Sequence, residues 1–363
     1  MEQRRFSLVL GGGGTRGLAH IGVLEALEDH RLTPREVIGT SVGALVGAAW
    51  CAGLAPRELR QLAGHLRRDD LFRLAHSGMA LRRLRAPAIY RPEPLADFVR
   101  GLLGDLTFAE LSRPLLVNTV DINTGTQVFW GATGLQDVVV ADAVIASCTL
   151  PGFLPPHRIR QGHYVDGAVA ANLPVHPAAR PDRDLVIAVD VSARGRPRLG
   201  VQRLGFPATY ARASELGIQR MDEVALRGWG RPPLLLVRPR VWHVELLSFR
   251  HNVELADAGY RAMHATLDAP HAVPPLDGVG VYPRRRVRVE ILRDRCVGCG
   301  ACVFAGPPGQ FTLDDDGKAV PTDPTPVWSP TDGFSVGVCP TSAIAVLDLE
   351  PPLDGPRTLS PPS

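Results

Sequence analysis

Residues 6–50 read FSLVLGGGGTRGLAHIGVLEALEDHRLTPREVIGTSVGALVGAAW. Ser7–Leu10 has the form of a buried strand and runs straight into four glycines. Leu18–His30 then turns Ile21, Leu24 and Leu27 toward one side, a spacing that predicts a helix. Val37-Ile38 predicts a second short strand, and Val42–Gly53, mostly small and apolar, a buried helix. Farther on, Leu115–Asp121 and Gln127–Trp130 predict two strands around the turn Ile122-Asn123-Thr124-Gly125. Leu185–Val189 is continuously apolar, as in strands buried on both faces. Strand and helix signals alternate, which predicts an α/β sheet covered by helices.

The length of 363 residues predicts about two domains. With 45% hydrophobic and 21% charged residues, the chain is neither wholly disordered nor fibrous. No apolar run reaches the ~18 residues a spanning helix needs. The N-terminal run Phe6–Leu10, behind Arg4 and Arg5, is too short for a secretory signal, so a cytoplasmic address is expected. Charge divides unevenly: residues 1–289 carry 36 basic and 27 acidic groups, +9, whereas 290–363 carry 4 and 10, −6. That split predicts two modules with different partners. Lys318 is the only lysine, which reflects base composition of the gene rather than function.

The loop Gly11-Gly12-Gly13-Gly14-Thr15-Arg16-Gly17 fits G-x-G-x-x-G through Gly12, Gly14 and Gly17. A dinucleotide site would place an acidic residue about 20 residues on, at the end of the second strand; here that strand runs into Gly39-Thr40-Ser41-Val42-Gly43. No Gly-Lys-Ser/Thr follows, which excludes a Walker loop. A tight strand-to-helix turn without ligand is one reading. The other is an anion cradle, in which side-chain-free amides and a helix N-terminus receive an oxyanion.

Gly39-Thr40-Ser41-Val42-Gly43 matches G-x-S-x-G between a strand and a helix, the context in which a serine hydroxyl is projected from a crowded turn. The bland alternative makes Ser41 a helix N-cap. A nucleophilic serine needs a base. His176, His243, His251, His264 and His271 lie downstream, none in an evident turn of the needed kind. His163-Tyr164-Val165-Asp166-Gly167-Ala168 is the stronger signal: a strand delivers Asp166 and Gly167 frees the turn, although Asp-Gly is also an ordinary turn pair.

Together these elements resemble the bacterial patatin-like phospholipases over residues 6–268. The matching stretches are Gly12–Gly17, Gly39–Gly43 and Asp166-Gly167-Ala168, with Ala146–Pro156 before the aspartate and Asn172-Leu173-Pro174 after it. The resemblance implies a three-layer α/β/α sandwich and hydrolysis of lipid acyl esters, phospholipid or lysophospholipid, by a Ser–Asp dyad without histidine. It makes Ser41 the nucleophile and Asp166 the base, Gly12, Gly13 and Gly14 the oxyanion donors, and Arg16 a substrate-binding or loop-orienting residue. An ordinary aspartate, pKa about 3.9, is a weak base for a hydroxyl, so burial must raise it. Basic residues interleaved with apolar ones at Arg67–Leu74 and Met79–Arg91 suit peripheral contact with the inner membrane face, or a solvated, salt-bridged helix. No groove-reading motif accompanies this charge, so nucleic acid is not expected as a partner.

Ala269–Arg286, with four prolines and two glycines, predicts a linker. Beyond it Cys296, Cys299 and Cys302 form C-x₂-C-x₂-C, and Cys339-Pro340 follows far downstream. Three close-set thiols and a distant Cys-Pro are the ligand pattern of an iron–sulfur cluster, whereas structural zinc prefers two separated pairs. Asp314–Gly317 lacks the alternation of a calcium loop and predicts a hairpin turn. Residues 287–350 resemble single-cluster bacterial ferredoxins, small α+β domains. The resemblance carries over Cys296, Cys299, Cys302 and Cys339 as ligands of one cluster, [4Fe-4S] rather than [3Fe-4S], and implies a redox partner protein. Pro351–Ser363 predicts a disordered tail. The expected domains are therefore an acyl hydrolase at 1–268, a linker at 269–286, an iron–sulfur domain at 287–350 and the tail. The competing reading is an electron-transfer or redox-sensing protein whose hydrolase-like domain binds lipid without turning it over.

Overall fold

The computed structural model describes residues 4–74, 88–193, 200–269 and 272–349. It divides into two compact units: residues 1–225 with 237–264, and residues 226–236 with 265–363.

The first unit is a mixed α/β structure. Its strands are β1 (Phe6–Leu10), β2 (Glu36–Thr40), β3 (Leu115–Asp121), β4 (Gln127–Trp130), β5 (His157–Ile159), β6 (Gly162–Asp166) and β7 (Leu185–Val189). Their order across the central sheet is β5-β6-β3-β2-β1-β7, with β4 paired to β3. The strands β1, β2, β3 and β7 run parallel, and the hairpin elements join antiparallel. β1, β2 and β7 are buried along their whole length, which the continuously apolar Leu185–Val189 anticipates for β7. Two of the polar residues in that interior, Ser7 and Glu36, stand opposite each other in register and are hydrogen-bonded at 2.7 Å.

Helix α1 (Ala19–Asp29) follows β1, and α2 (Val42–Cys51) follows β2. Helix α3 (Val140–Ser147) precedes the β5–β6 hairpin. The register brings the ends of neighbouring strands level: Leu10 pairs with Gly39 and Val189, Thr40 with Asn118, and Thr119 with Asp166. The glycine loop, the serine turn and the aspartate therefore gather at the carboxyl ends of the parallel strands, where α/β sheets bind ligands. Among the described residues no helix is long and apolar enough to cross a membrane.

In the second unit, β8 (Leu234–Val237) pairs in parallel with β9 (Val281–Tyr282). Two corrections to the sequence reading follow. The segment 269–286 is not a plain linker, because Val281 and Tyr282 are buried strand residues paired with Leu234 and Leu235. The boundary at 268 also moves, since residues 226–236 join the later unit. The expected hairpin is present as β11 (Phe311–Leu313) and β12 (Ala319–Pro321). Strand β10 (Arg285–Ile291) pairs antiparallel with β13 (Val327–Trp328) and β14 (Ile344–Asp348), and a short helix α4 (Ala301–Ala305) follows the cysteine loop. Residues 79–87 of the expected membrane stretch and the tail 351–363 lie outside the described residues.

Candidate functional site

Ser41 sits between β2 and α2 with φ 55° and ψ −129°, and its side chain makes no hydrogen bond to the helix start. The N-cap reading thus gives way to a strained elbow. Positive φ is uncommon in a residue other than glycine and is kept only where surrounding structure imposes it. The flanking glycines permit the crowding: a Cβ on Gly39 would lie 2.5 Å from Ala44 Cα, and one on Gly43 would lie 2.3 Å from the Leu10 carbonyl. The Ser41 amide donates to Ser147 Oγ at 2.8 Å, and the Ser147 hydroxyl donates to the Asn118 carbonyl at 2.7 Å.

Asp166 ends β6 and is fully buried. Its amide donates to the Thr149 carbonyl at 2.9 Å, and its Oδ1 accepts the Ala168 amide at 2.9 Å. Oδ2 makes no hydrogen bond of full geometry. Burial pushes the carboxyl up to about 6, against the Ala168 amide and the Ser41 hydroxyl, both of which favour its charged form. The structure therefore brings Ser41 and Asp166 together, with one carboxylate oxygen still available and its basicity raised well above that of an ordinary aspartate. Cys148, buried between Ser147 and Thr149, has its thiol pushed well up by burial and then by the Asp166 charge.

The glycine loop lies against the elbow: a Cβ on Gly12 would come 3.3 Å from Ser41 Cβ. Its amides divide by use. Gly11 donates to the Val189 carbonyl and Gly12 to the Asn172 carbonyl, each at 3.0 Å, and Thr15 donates to Leu246 at 2.8 Å. Gly12 is thus tied into the fold. The amides of Gly13 and Gly14 have no backbone acceptor among the described residues. Arg16 is buried, and its Nε donates to the Gly13 carbonyl at 3.2 Å, a placement that fits loop orientation. Beneath the loop, His20 Nε2 meets the Gly11 carbonyl at 2.8 Å, and burial pushes this imidazole down to about 4.

Three contributors had no separate role in the sequence reading. Asn172 holds Gly12 from both sides, its carbonyl on the Gly12 amide and its Nδ2 on the Gly12 carbonyl at 3.1 Å. Asn118 Nδ2 donates to Thr40 Oγ1 and to the Ala171 carbonyl. Ser147 is the third. The available signal is a polar residue inside an apolar run, such as Ser147 after Ala143-Val144-Ile145-Ala146, because a buried hydroxyl must find a partner. Three of the downstream histidines are engaged elsewhere. His243 and His251 both contact Glu254, His264 packs edge-on against His30, and His271 lies outside the described residues. In the basic stretch Arg68 Nη2 donates to the Tyr90 hydroxyl at 2.5 Å.

Residues 8–179 match the family model described as patatin-like phospholipase. This segment is similar to the patatin-like domains. An uncharacterized NTE family protein of Mycobacterium tuberculosis is 33% identical over 188 residues, 52% of this chain and 49% of that protein. The uncharacterized protein YqhO of Bacillus subtilis is 28% identical over 210 residues, 52% of this chain and 72% of YqhO. The neuropathy target esterase sws of Drosophila melanogaster is 29% identical over 191 residues, 52% of this chain and 13% of the esterase. The crystal structure of VipD from Legionella pneumophila shares 14% identity and a TM-score of 0.45, covering 72% of this chain and 66% of VipD. The chain spans about half the length of the mycobacterial relatives it matches. The family match ends before the clustered cysteines.

In the second unit Cys296, Cys299, Cys302 and Cys339 line one cavity, together with Ile291, Leu313 and Ile344. Among the described residues no three of these thiols have their sulfurs within 4.8 Å of one another. A single tetrahedral zinc ion, with Zn–S about 2.3 Å, would hold its sulfurs about 3.8 Å apart. Backbone amides approach the sulfurs, Ala319 to Cys296 at 3.4 Å and Ala343 to Cys339 at 3.3 Å. At Cys339 burial raises the thiol, but hydrogen bonds from Ala343, Thr341 and Ile344 outweigh it and hold the group below its ordinary value. Four thiols lining one cavity, with amides directed at two of the sulfurs, form a donor set suited to a thiolate-bound group.

Proposed function

We propose that the chain is a serine hydrolase of lipid acyl esters, acting on phospholipid or lysophospholipid from within a three-layer α/β/α sandwich. One observation carries the reading: a serine held at φ 55° on a strand-to-helix elbow lies against a fully buried aspartate with a free carboxylate oxygen. In the proposed reaction Ser41 Oγ attacks the ester carbonyl carbon while Asp166 Oδ2 takes the hydroxyl proton. The amides of Gly13 and Gly14 receive the charge that forms on the carbonyl oxygen. Gly12 supports them structurally, its own amide being held by Asn172. The tetrahedral intermediate collapses, the C–O bond to the alcohol breaks, and Asp166 returns the proton to the departing oxygen. Water, deprotonated by Asp166, then attacks the acyl-serine, releasing the fatty acid and restoring Ser41. A lipid substrate places the work at a membrane face, reached by peripheral contact from the cytoplasm.

The second unit is proposed as a ferredoxin-like holder of one [4Fe-4S] cluster. Cys296, Cys299, Cys302 and Cys339 would supply the thiolates. The group would provide one-electron transfer when bound, to a redox partner drawn by the acidic charge of this region.

The test is labelling by a fluorophosphonate, followed by product analysis on phospholipid and lysophospholipid vesicles. Labelling confined to Ser41, with free fatty acid released, is the expected result. Wild-type turnover by Ser41→Ala, or full activity of Asp166→Asn beside an inactive histidine variant, would refute the dyad. For the second unit, iron and sulfide analysis should find a cluster; zinc alone would end that proposal.

A further inference from the structure

A non-glycine residue at φ 55° is a strained conformation that the surrounding structure must hold. The hold on Ser41 is specific. Its amide donates to Ser147 Oγ, and the Ser147 hydroxyl proton is committed to the Asn118 carbonyl. A hydroxyl has one proton and two lone pairs, so this commitment fixes Ser147 as the acceptor for Ser41. Two residues later the Thr149 carbonyl accepts the Asp166 amide. Thr149 is itself anchored, its amide to Ala146 and its hydroxyl to Ile145. One short segment at the end of α3 thus holds the backbone of both dyad members, although the chain separates them widely. Ser147 and Thr149 are both buried, so water does not compete for these bonds.

We propose that Ser147 is the positioning residue of the dyad, its hydroxyl locking the serine elbow while the segment Ser147–Thr149 sets the separation of nucleophile and base. The proposal rests on the Ser–Asp reading above. Ser147 itself touches neither substrate nor reacting atoms; it acts through the Ser41 amide. Without its hydroxyl, the Ser41 amide and the Asn118 carbonyl lose their shared partner, and the elbow can relax toward ordinary φ. Small misplacement of a reacting group costs about 10²-fold in rate.

The experiment measures fluorophosphonate labelling rate, together with kcat and KM on a short-chain ester, for the full chain and for Ser147→Ala, Ser147→Cys, Leu185→Val and Ser41→Ala. Leu185→Val trims the buried core at the start of β7, the opposite end of the sheet, and serves as the destabilised control. Ser147→Ala should label about 10²-fold more slowly and lose kcat in proportion, with KM nearly unchanged. Ser147→Cys keeps the volume but offers a weak donor and acceptor, and should fall between. It also carries the comparison should the alanine variant not fold. Leu185→Val should label at the wild-type rate despite a lowered melting temperature. Wild-type labelling by both Ser147 variants beside an inert Ser41→Ala overturns the positioning role alone. Losses in Leu185→Val as large as in Ser147→Ala would show mere destabilisation and overturn it too. Turnover by Ser41→Ala would instead bring down the dyad reading on which it stands.

Discussion

The serine site and the cysteine cavity are built on opposite plans. The serine site draws on β1, β2, β3, β6 and the end of α3, segments brought together by a sheet whose central strands are fully buried. Its groups are held by backbone pairing and by a buried hydroxyl. The cysteine cavity takes three of its four thiols from one seven-residue loop, Cys296–Cys302, in which Gly298 and Gly300 adopt positive φ. The buried core around it comprises nine residues, and two of those are Cys296 and Cys302 themselves. The lesson is about where order comes from. A large sheet can impose strain on a serine elbow, whereas a small core that includes Cys296 and Cys302 would be completed by the proposed cluster.

The largest predicted effect follows from that difference. Structural metal sites contribute on the order of 10 kcal/mol to folding. On the proposed cluster, Cys302→Ser, or removal of iron by a chelator under reducing conditions, should abolish its visible absorbance and the cooperative melting of the second unit. Ser41 labelling should continue at its normal rate. Calorimetry beside the labelling assay checks both halves, and joint collapse of the two would break the contrast. Next in size, Ser41→Ala should lower ester hydrolysis by about 10⁴-fold or more with the melting temperature preserved.

The same contrast explains how far the sequence could be read. The elbow was legible because Gly39, Ser41 and Gly43 lie within five residues, between a short apolar run and a small-residue helix. The hairpin of β3 and β4 was legible from its turn residues, and Asp166-Gly167 from its position after a strand. What escaped was non-local. Asn172 closes on Gly12 from 160 residues away and removes that amide from use, and Ser147 reaches Ser41 from 106 residues away. No periodicity encodes either contact. The pairing of Val281-Tyr282 with Leu234-Leu235 escaped for a related reason: a two-residue strand inside a Pro- and Gly-rich stretch carries no alternation to recognise. The four cysteines were legible as a set because three of them crowd one loop, but their cavity becomes visible only once the chain is folded.

Gly14 sharpens the comparison at the level of a single amide. It adopts φ 57°, and a Cβ there would come 2.3 Å from the Leu246 carbonyl that also receives Thr15. Gly14→Ala must shift the loop. Losing one oxyanion donor typically costs about 10²–10³-fold, and kcat should fall by that factor with binding largely kept. Gly53→Ala, at a positive-φ turn where a Cβ meets nothing, is the control for backbone strain and should leave kcat unchanged. Equal losses in the two variants would mean that strain, and not a displaced donor, explains Gly14.

The smallest effect is one of stability, and its sign opposes that of activity. Burial raises the Asp166 carboxyl from 3.8 in the free residue to about 6 in the folded protein. A group whose folded pKa is raised contributes its full stability below the unfolded value and loses it as pH climbs through the folded value. At pH 8 the protein therefore carries an ionised, buried carboxylate at a cost of about two pKa units, or about 3 kcal/mol. Asp166→Asn removes that cost along with the base. The variant should be markedly less active, yet more stable than wild type at pH 8 by up to about 3 kcal/mol, with the gap closing below pH 4. Urea unfolding at pH 4, 6 and 8 reads the difference directly. A stability gap of the same size at every pH would mean that the aspartate titrates normally, and the elbow would then press its serine against a carboxylate too weak to take its proton.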